Sequence, residues 1–187
     1  MREVNLKYRL CAIRISCAFR TISDDAVLVI AGQVPLGELA RESKDIRTTL
    51  SLIQEDPRAK AEDGGPTSIE AWVNRKQGQV DYYLTQELSG HGCFRSYLKQ
   101  YGHETEDGCP ECGSGIAEDA QHVLFECHRF NHEGQVLEEI TGTEVQPETH
   151  VPLMIGNQRT WEAATAFAVS VLRTLRLLER ERRGAAV

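Results

Sequence analysis

Apolar residues recur at three- and four-residue steps along much of the chain, which is the pattern of amphipathic α-helices. Near the N-terminus the apolar positions are Leu6, Leu10, Ile13 and Cys17. The opposite side of this predicted helix carries Arg2, Arg9 and Arg20. Ser23 suits the N-cap of a second, short helix that ends at Gly32, and Pro35 opens a third. The first 54 residues are therefore predicted to form a helical segment.

A stretch without apolar periodicity interrupts this pattern. It reads EDPRAKAEDGGPTS, and its proline, glycine and charge are typical of a linker or exposed loop. Helical periodicity then resumes around Trp72 and is strongest from Thr160 to about Arg183. The sequence predicts a mainly α-helical fold with four parts. These are a helical segment (1–54), a linker (55–68), a helical region with a metal-binding motif at 109–127 (69–130), and a C-terminal region with a long helix (131–187).

Composition limits the class of protein. The 187 residues include 21 lysines and arginines against 28 aspartates and glutamates, a formal charge of −7. This acidity argues against a free-standing nucleic-acid-binding protein, because such proteins usually carry a basic excess that displaces counterions from phosphates. The longest apolar stretch, residues 26–31, is far shorter than the roughly 20 residues of a membrane-spanning helix. We therefore expect an intracellular protein without a membrane partner.

The sequence contains six cysteines, and it shows no recognisable secretory signal. Reducing compartments keep thiols free, so their spacing indicates metal binding or packing rather than disulfides. Cys11 and Cys17 lie on the pattern of the first helix and are predicted to be small core residues.

The stretch CPECGSGIAEDAQHVLFEC has the spacing of a zinc site. Cys109 and Cys112 form a CxxC pair, in which two thiolates on one tight turn can reach the same ion. After a Gly-Ser-Gly return, a helix is predicted to present His122 on its first turn. Cys127 follows five residues later, and on an ideal helix the two side chains would point about 140° apart. They can share an ion only if the helix frays or ends near Glu126.

His128 is the alternative fourth ligand, because a Cys2His2 set with this spacing is also permitted. Cys127 is preferred, since a thiolate is the softer ligand and since His128, next to Arg129, can simply be solvated. Four protein ligands leave no position for water, so the ion is predicted to be structural rather than catalytic.

Three blocks of the sequence resemble the C-terminal part of the Pol-like polyprotein of non-LTR retrotransposons, especially the arthropod type that inserts into ribosomal DNA. The first block, CAIRISCAFRTISDDAVLVIAGQVPLGELARE, looks like the helical, thumb-like segment downstream of the polymerase palm. The other two, QVDYYLTQELSGHGCFRSYLKQYGH and CPECGSGIAEDAQHVLFECHRF, are similar to the stretch that carries the zinc knuckle of this family. The resemblance covers most of residues 6–130, and the sequence departs from the family pattern around 55–68.

The resemblance implies a role for the motif. Cys109, Cys112, His122 and Cys127 would bind structural Zn²⁺ and help to hold element RNA or target DNA near the polymerase. The implied partners are the RNA template, the target DNA and the remainder of the polyprotein, in the nucleus during insertion. The catalytic residues of the reverse transcriptase and endonuclease, with their Mg²⁺, are expected upstream and outside this chain. We therefore expect no polymerisation by the chain alone.

Basic and aromatic residues near the motif and in the last helix are candidate contacts for phosphates and bases, because single-stranded nucleic acid is held by cations and stacking rings. These residues are Phe94, Arg95, Tyr97, Lys99, Arg173, Arg176 and Arg180.

Two other functions compete with nucleic-acid binding. In the first, zinc supports a protein-interaction module whose long final helix pairs with another chain, which suits the acidic composition. In the second, the chain is a C-terminal endonuclease that uses clustered carboxylates and a lysine. The second is weak, because no lysine follows Lys99.

Overall fold

The computed structural model describes residues 2–33 and 68–185, which are mainly α-helical as the sequence predicts. The helices are α1 (Arg2–Ile15), α2 (Asp24–Ile30), α3 (Ser68–Val73), α4 (Tyr82–Ser89), α5 (Arg95–Gln100), α6 (Asn131–Thr141), α7 (Pro147–Gly156) and α8 (Gln158–Ala185). Between α5 and α6 lie a hairpin of β1 (Gly108–Cys109) and β2 (Gly113–Ala117), a π-helical turn (His122–Glu126) and a 3₁₀ turn (His128–Phe130). The helix predicted to open at Pro35 and residues 55–67 of the predicted linker lie outside the described residues.

The long helix α8 forms the centre of the main core. Helices α4, α6 and α7 pack against it. As the periodicity predicts, its apolar positions are buried at Trp161, Ala164, Ala168, Val171 and Leu175. Its C-terminal turns run beside the loop after α5, where Nε of Arg182 donates to Oε1 of Glu104 at 3.0 Å. Within the described ranges, no helix combines the length and apolar character that crossing a lipid bilayer requires.

Two tryptophans join the N-terminal helices to this core. The rings of Trp72 on α3 and Trp161 on α8 have centroids 5.6 Å apart, and Nε1 of Trp72 donates to the carbonyl oxygen of Val29 on α2 at 2.6 Å. Gly78 permits this packing, because its φ is +69° and a Cβ there would lie 1.9 Å from the indole nitrogen of Trp161.

Helix α2 begins and ends as the sequence predicts. Oγ of Ser23 accepts a hydrogen bond from the backbone N–H of Ala26 at 3.3 Å, and two aspartates occupy the first turn. After the helix, Gly32 has a φ of +72°. Such a cap typically stabilises a helix by about 1 kcal/mol.

The side of α1 that the sequence predicts to be buried is largely exposed to solvent. Leu6 and Leu10 are 56% and 45% exposed. Cys11 and Cys17, predicted to be core residues, are exposed as well, whereas Ala12 is fully buried. Ile13, on the same predicted side, is half-buried against the core that α1 shares with α2, so the predicted orientation is wrong for Leu6, Leu10 and Cys17.

The reason is that Arg9, on the side predicted to face solvent, anchors α1. Its Nη2 donates to the carbonyl oxygens of Arg20 at 2.8 Å and Ile22 at 2.9 Å, and its Nε lies 3.0 Å from Oδ1 of Asp24 at the start of α2. Because this guanidinium group binds the segment that leads into α2, the side of α1 that carries Arg9 and the fully buried Ala12 faces that segment, and Leu6 and Leu10 lie outside the contact.

Two helices of the C-terminal region, α6 and α7, are absent from the sequence-based prediction. Helix α6 ends at Gly142, which adopts a left-handed conformation, and α7 starts with Pro147 behind a capping box formed by Gln146 and Thr149. These end signals are visible in the sequence, but the apolar pattern between them is short.

Candidate metal centre

A tight hairpin places Cys109 and Cys112 on one turn. Strands β1 and β2 pair in antiparallel fashion, with an irregular register between Gly108 and Cys109. A Cβ at Gly108 would lie 2.8 Å from Cα of Ser114, so the close approach of the two strands requires glycine. Gly113 has a φ of +105° and reverses the chain directly after the second cysteine.

The second pair of ligands is presented by a π-helical turn. Oδ1 of Asp119 accepts a hydrogen bond from the backbone N–H of His122 at 2.8 Å, which caps the turn. The backbone N–H of Cys127 donates to the carbonyl oxygen of His122 at 2.7 Å, one residue further along than in an α-helix. Cys127 itself is extended, with φ −76° and ψ 121°. The helix thus ends at Glu126, which meets the condition set by the sequence for sharing one ion.

The four predicted ligands converge. One donor atom from each of Cys109, Cys112, His122 and Cys127 lies within 4.8 Å of the others. Sγ of Cys127 is 3.7 Å from Sγ of Cys109 and 3.9 Å from Sγ of Cys112. Sulfur atoms around a tetrahedral ion with bonds of about 2.3 Å are about 3.8 Å apart. The spacing of the sulfurs therefore fits a four-coordinate metal ion such as zinc.

The imidazole of His122 is arranged as a metal ligand would be. Its Nε2 atom is buried and forms no hydrogen bond with any of the described residues, which is costly unless another group uses its lone pair. Its Nδ1 atom lies 3.4 Å from Oε2 of Glu126. A carboxylate on the second nitrogen is the usual partner of a metal-bound histidine, because it orients the ring.

His128 lies at the edge of the cluster. Its Nδ1 atom is 3.8 Å from Sγ of Cys112, but its side chain is exposed. Cys127 is buried among the other donors. The geometry therefore favours Cys127 as the fourth ligand.

The thiols at the cluster ionise unequally. Burial opposes ionisation of Cys109, but hydrogen bonds from the backbone N–H groups of Cys112 and Glu111, together with the proximity of the His122 imidazole, outweigh it and lower its pKa to about 7. Burial, together with the neighbouring Cys109 and Cys112, raises the pKa of Cys127 to about 12. A metal ion must therefore displace the proton of Cys127 at neutral pH.

A positively charged side chain, that of Arg129, lies beside the cluster. The guanidinium group of Arg129 lies 3.9 Å from Sγ of Cys109 and donates to the buried carboxylate of Glu118 at 3.1 Å. Its position offsets the negative charge that three thiolates bring to one ion.

Arg95 and Lys99 on α5, predicted to contact nucleic acid, bind neighbouring groups of the protein. Nη1 of Arg95 donates to the carbonyl oxygen of Gly108 at 2.7 Å, and Nζ of Lys99 lies 2.8 Å from Oδ1 of Asp107. These cations therefore attach α5 to the metal-binding hairpin.

Phe94 requires a correction. Its side chain is fully buried in the main core, so its ring cannot offer a face to a base, contrary to the prediction. The residue precedes α5, and its neighbour Tyr97 remains half-buried with its hydroxyl 2.9 Å from Oγ1 of Thr21. Apolar character alone could not distinguish a core ring from a surface ring.

Tyr97 and two of the predicted arginines meet in a cleft of about 430 Å³ between α5 and α8, which we call the tyrosine–arginine cleft. Arg180 is exposed at its edge, and Nη1 of Arg176 donates to the hydroxyl of Tyr82 at 3.1 Å. Arg173 does not line the cleft but lies over the ring of Tyr83, with its Cζ 5.5 Å from the ring centroid.

Other residues of the cleft were not predicted. The most relevant ones are Phe19, Tyr82, Tyr101 and Glu179. The arginine spacing at 176, 180 and 183 is a one-face helical repeat that the sequence does contain. The aromatic residues come from three separate segments, so no local signal links them.

Fold and site together define a mainly helical protein with a Cys3His cluster that could hold a metal ion. The chain matches no protein-family model, and no curated protein or solved structure is significantly similar to it.

Proposed function

We propose that the Cys3His cluster binds a structural Zn²⁺ ion. The observation that carries this proposal is the convergence of three sulfur atoms and an imidazole nitrogen within 4.8 Å of one another, with two of the sulfur–sulfur distances at the tetrahedral value. Thiolate and imidazole ligands in such a set favour zinc, and four protein donors leave no position for a reactive water. The ion would hold the hairpin and the π-helical turn together.

The ion would also position α5. Three polar contacts join this helix to the segment around the cluster, from Arg95 to Gly108, from Lys99 to Asp107, and from the backbone N–H of Ser96 to the carbonyl oxygen of Glu118. Helix α5 in turn carries Tyr97 into the tyrosine–arginine cleft. Zinc binding and the shape of the cleft are therefore expected to be linked.

We further propose that the chain is a zinc-knuckle nucleic-acid-binding segment from the C-terminal part of a retrotransposon reverse transcriptase and endonuclease polyprotein, of the type that inserts into ribosomal DNA. The motif, its ligand geometry and the basic end of α8 support this proposal. Residues 173–183 contain five arginines and two glutamates, a local charge of +3 in a chain of −7. Concentrated positive charge of this kind suits phosphate binding despite the acidic total.

The proposed partners are the RNA template, the target DNA and the remainder of the polyprotein, in the nucleus. Polymerase and endonuclease chemistry with Mg²⁺ would belong to other parts of that polyprotein. The role of this chain would be to hold the strand while zinc keeps the binding surface in shape.

The test combines metal content with nucleic-acid binding. Purified protein should contain one zinc ion per chain and bind a labelled single-stranded RNA or nicked DNA in fluorescence anisotropy, with an affinity that falls as salt rises. The double variant Cys109→Ser, Cys112→Ser should lose both properties. Cys11→Ser changes an exposed thiol on α1 and is the matched control, which should keep both. Unchanged nucleic-acid binding in the zinc-free variant would overturn the link between metal and function.

A second candidate is a zinc-supported protein-interaction module that does not bind nucleic acid. The exposed leucines of α1, Leu6 and Leu10, together with Ile15 at 57% exposure, favour it because such side chains are usually covered in an assembly. A zinc-loaded protein that leaves the anisotropy of every RNA and DNA probe unchanged would favour this candidate over the first.

A further inference from the structure

We infer that the tyrosine–arginine cleft binds a nucleotide of a single-stranded nucleic acid. This inference rests on the proposed nucleic-acid-binding function and assigns it a location and a strand type. The cleft lies between α4, α5, α8 and the loop after α1, and its volume of about 430 Å³ is within the usual range of small-ligand sites.

The cleft carries an excess of positive charge. Among the described residues, Arg176, Arg180 and Arg183 line it from one face of α8 together with a single carboxylate, that of Glu179. Oε1 of Glu179 lies 2.7 Å from Nη2 of Arg183. Two formal positive charges therefore remain for phosphate groups.

The cysteine on the buried side of the cleft carries no negative charge that would repel an anion. Burial raises the pKa of the Cys93 thiol to about 12, with a further contribution from its hydrogen bond to Glu179, so this thiol stays neutral at physiological pH. The positive charge of the arginines is thus not reduced by a thiolate beneath them.

Aromatic rings line the opposite side. The centroids of Tyr97 and Tyr101 are 4.8 Å apart, and Phe19 lies 6.1 Å from Tyr97. Tyr101 is 42% exposed, so part of its ring is available to a ligand. Bases of a single strand can stack on such rings, whereas the bases of a duplex are already stacked on their neighbours. This combination favours a single strand over a duplex.

An acidic phosphopeptide is the other ligand that arginines could bind. It would use the cationic groups on α8 but would have no need of the tyrosine faces, which are the distinguishing feature of the cleft. The experiment therefore includes such a peptide as a competitor.

The test uses the full zinc-loaded chain and a labelled 12-nucleotide single strand, with the matching duplex for comparison. The double variant Arg180→Gln, Arg183→Gln should weaken binding of the single strand at least about tenfold and make the salt dependence shallower by about 1.4 in the log–log slope. Tyr101→Leu keeps apolar volume but removes the ring, and should weaken binding about 5- to 150-fold. The double variant Arg14→Gln, Arg159→Gln, which replaces two exposed arginines outside the cleft, is the charge-matched control and should bind like the wild type.

Circular dichroism and zinc content identify the variants that fold like the wild type. For those variants the outcomes can be told apart. Wild-type protein that binds no nucleic acid would overturn the proposed function together with this inference. Wild-type binding that survives in both cleft variants would overturn the inference alone and place the contact elsewhere. Equal affinity for the duplex, or equally effective displacement by the phosphopeptide, would overturn the assignment of a single strand.

Discussion

Nη2 of Arg129 lies 3.1 Å from Oε2 of Glu118, whose side chain is completely buried. The same guanidinium group lies 3.9 Å from Sγ of Cys109. One arginine thus neutralises a buried carboxylate and faces the sulfur of a predicted metal ligand. Since buried charges need partners and thiolate sites benefit from nearby cations, this residue should affect both folding and metal binding.

Arg129→Met should lower the free energy of unfolding by about 3–5 kcal/mol, because it leaves Glu118 buried without a partner. The double variant Arg129→Met, Glu118→Leu should recover most of this loss but keep a zinc affinity about tenfold or more below the wild type. Urea denaturation and competition with a zinc chelator measure the two effects. Arg159→Met, which removes an exposed arginine, serves as control. Wild-type zinc affinity in the double variant would contradict the electrostatic role of Arg129.

The identity of the fourth ligand can be tested with one pair of substitutions. Cys127→Ser should lower zinc affinity by more than the roughly 100-fold that loss of an outer-shell partner costs. His128→Ala should leave it unchanged, because this side chain is exposed at the edge of the cluster. The absorption spectrum of the cobalt-substituted protein should indicate three sulfur ligands in the wild type and in His128→Ala. Loss of metal in His128→Ala with retention in Cys127→Ser would reverse the assignment.

Zinc binding should release protons at neutral pH. The pKa of Cys127 is raised to about 12, so its thiol is protonated before the ion arrives, and Cys109, with its pKa lowered to about 7, is partly protonated. At least one proton should therefore leave per zinc bound, and zinc affinity should fall about tenfold or more for each unit by which pH decreases. Titration in weak buffer with a pH indicator measures the release. Zinc affinity that does not change between pH 6 and pH 8 would show that the thiols are ionised before binding.

A buried pair on α4 and α7 should contribute to stability. Nε2 of His150 lies 2.9 Å from Oε1 of Glu87, and both side chains are almost completely buried. His150→Ala would leave the buried carboxyl group without this partner and should cost about 1–3 kcal/mol. Replacing both residues by leucine should restore much of the stability, as measured by urea denaturation. His132→Ala, at an exposed position of α6, should have little effect.

Gly78 should be intolerant of a side chain. Its φ is +69°, and a Cβ would overlap the indole ring of Trp161. Gly78→Ala should therefore destabilise the fold by about 1–3 kcal/mol, through backbone strain and displacement of the ring. Gly134, inside α6 with open space around its Cα, is the matched control, and Gly134→Ala should be neutral or stabilising by about 0.5–1 kcal/mol. Equal thermal midpoints for the two variants would contradict this account.

Features that depend on residues close together in the chain could be predicted from the sequence. Ser23 caps α2 because its oxygen reaches an N–H three residues ahead. The CxxC pair lies on one turn because glycines flank it, and the buried side of α8 follows its apolar repeat from Trp161 to Leu175. The four metal-ligand candidates were identified in the same way, from short spacings with known coordination chemistry.

Features that depend on contacts between distant segments required the tertiary structure. The side of α1 that is buried depends on Arg9 binding carbonyl groups beyond the end of the helix and the carboxylate of Asp24, which outweighs the apolar pattern of the helix itself. The burial of Phe94 and the joining of Tyr97 to Arg176 in one cleft depend on how α5 packs against α8. The sequence by itself thus determined the cap of α2, the buried side of α8 and the ligand spacing, because those follow from local geometry. Tertiary packing decided which side of α1 is buried and which residues line the cleft. These features depend on residues far apart in the chain that compete for the same space in the folded protein.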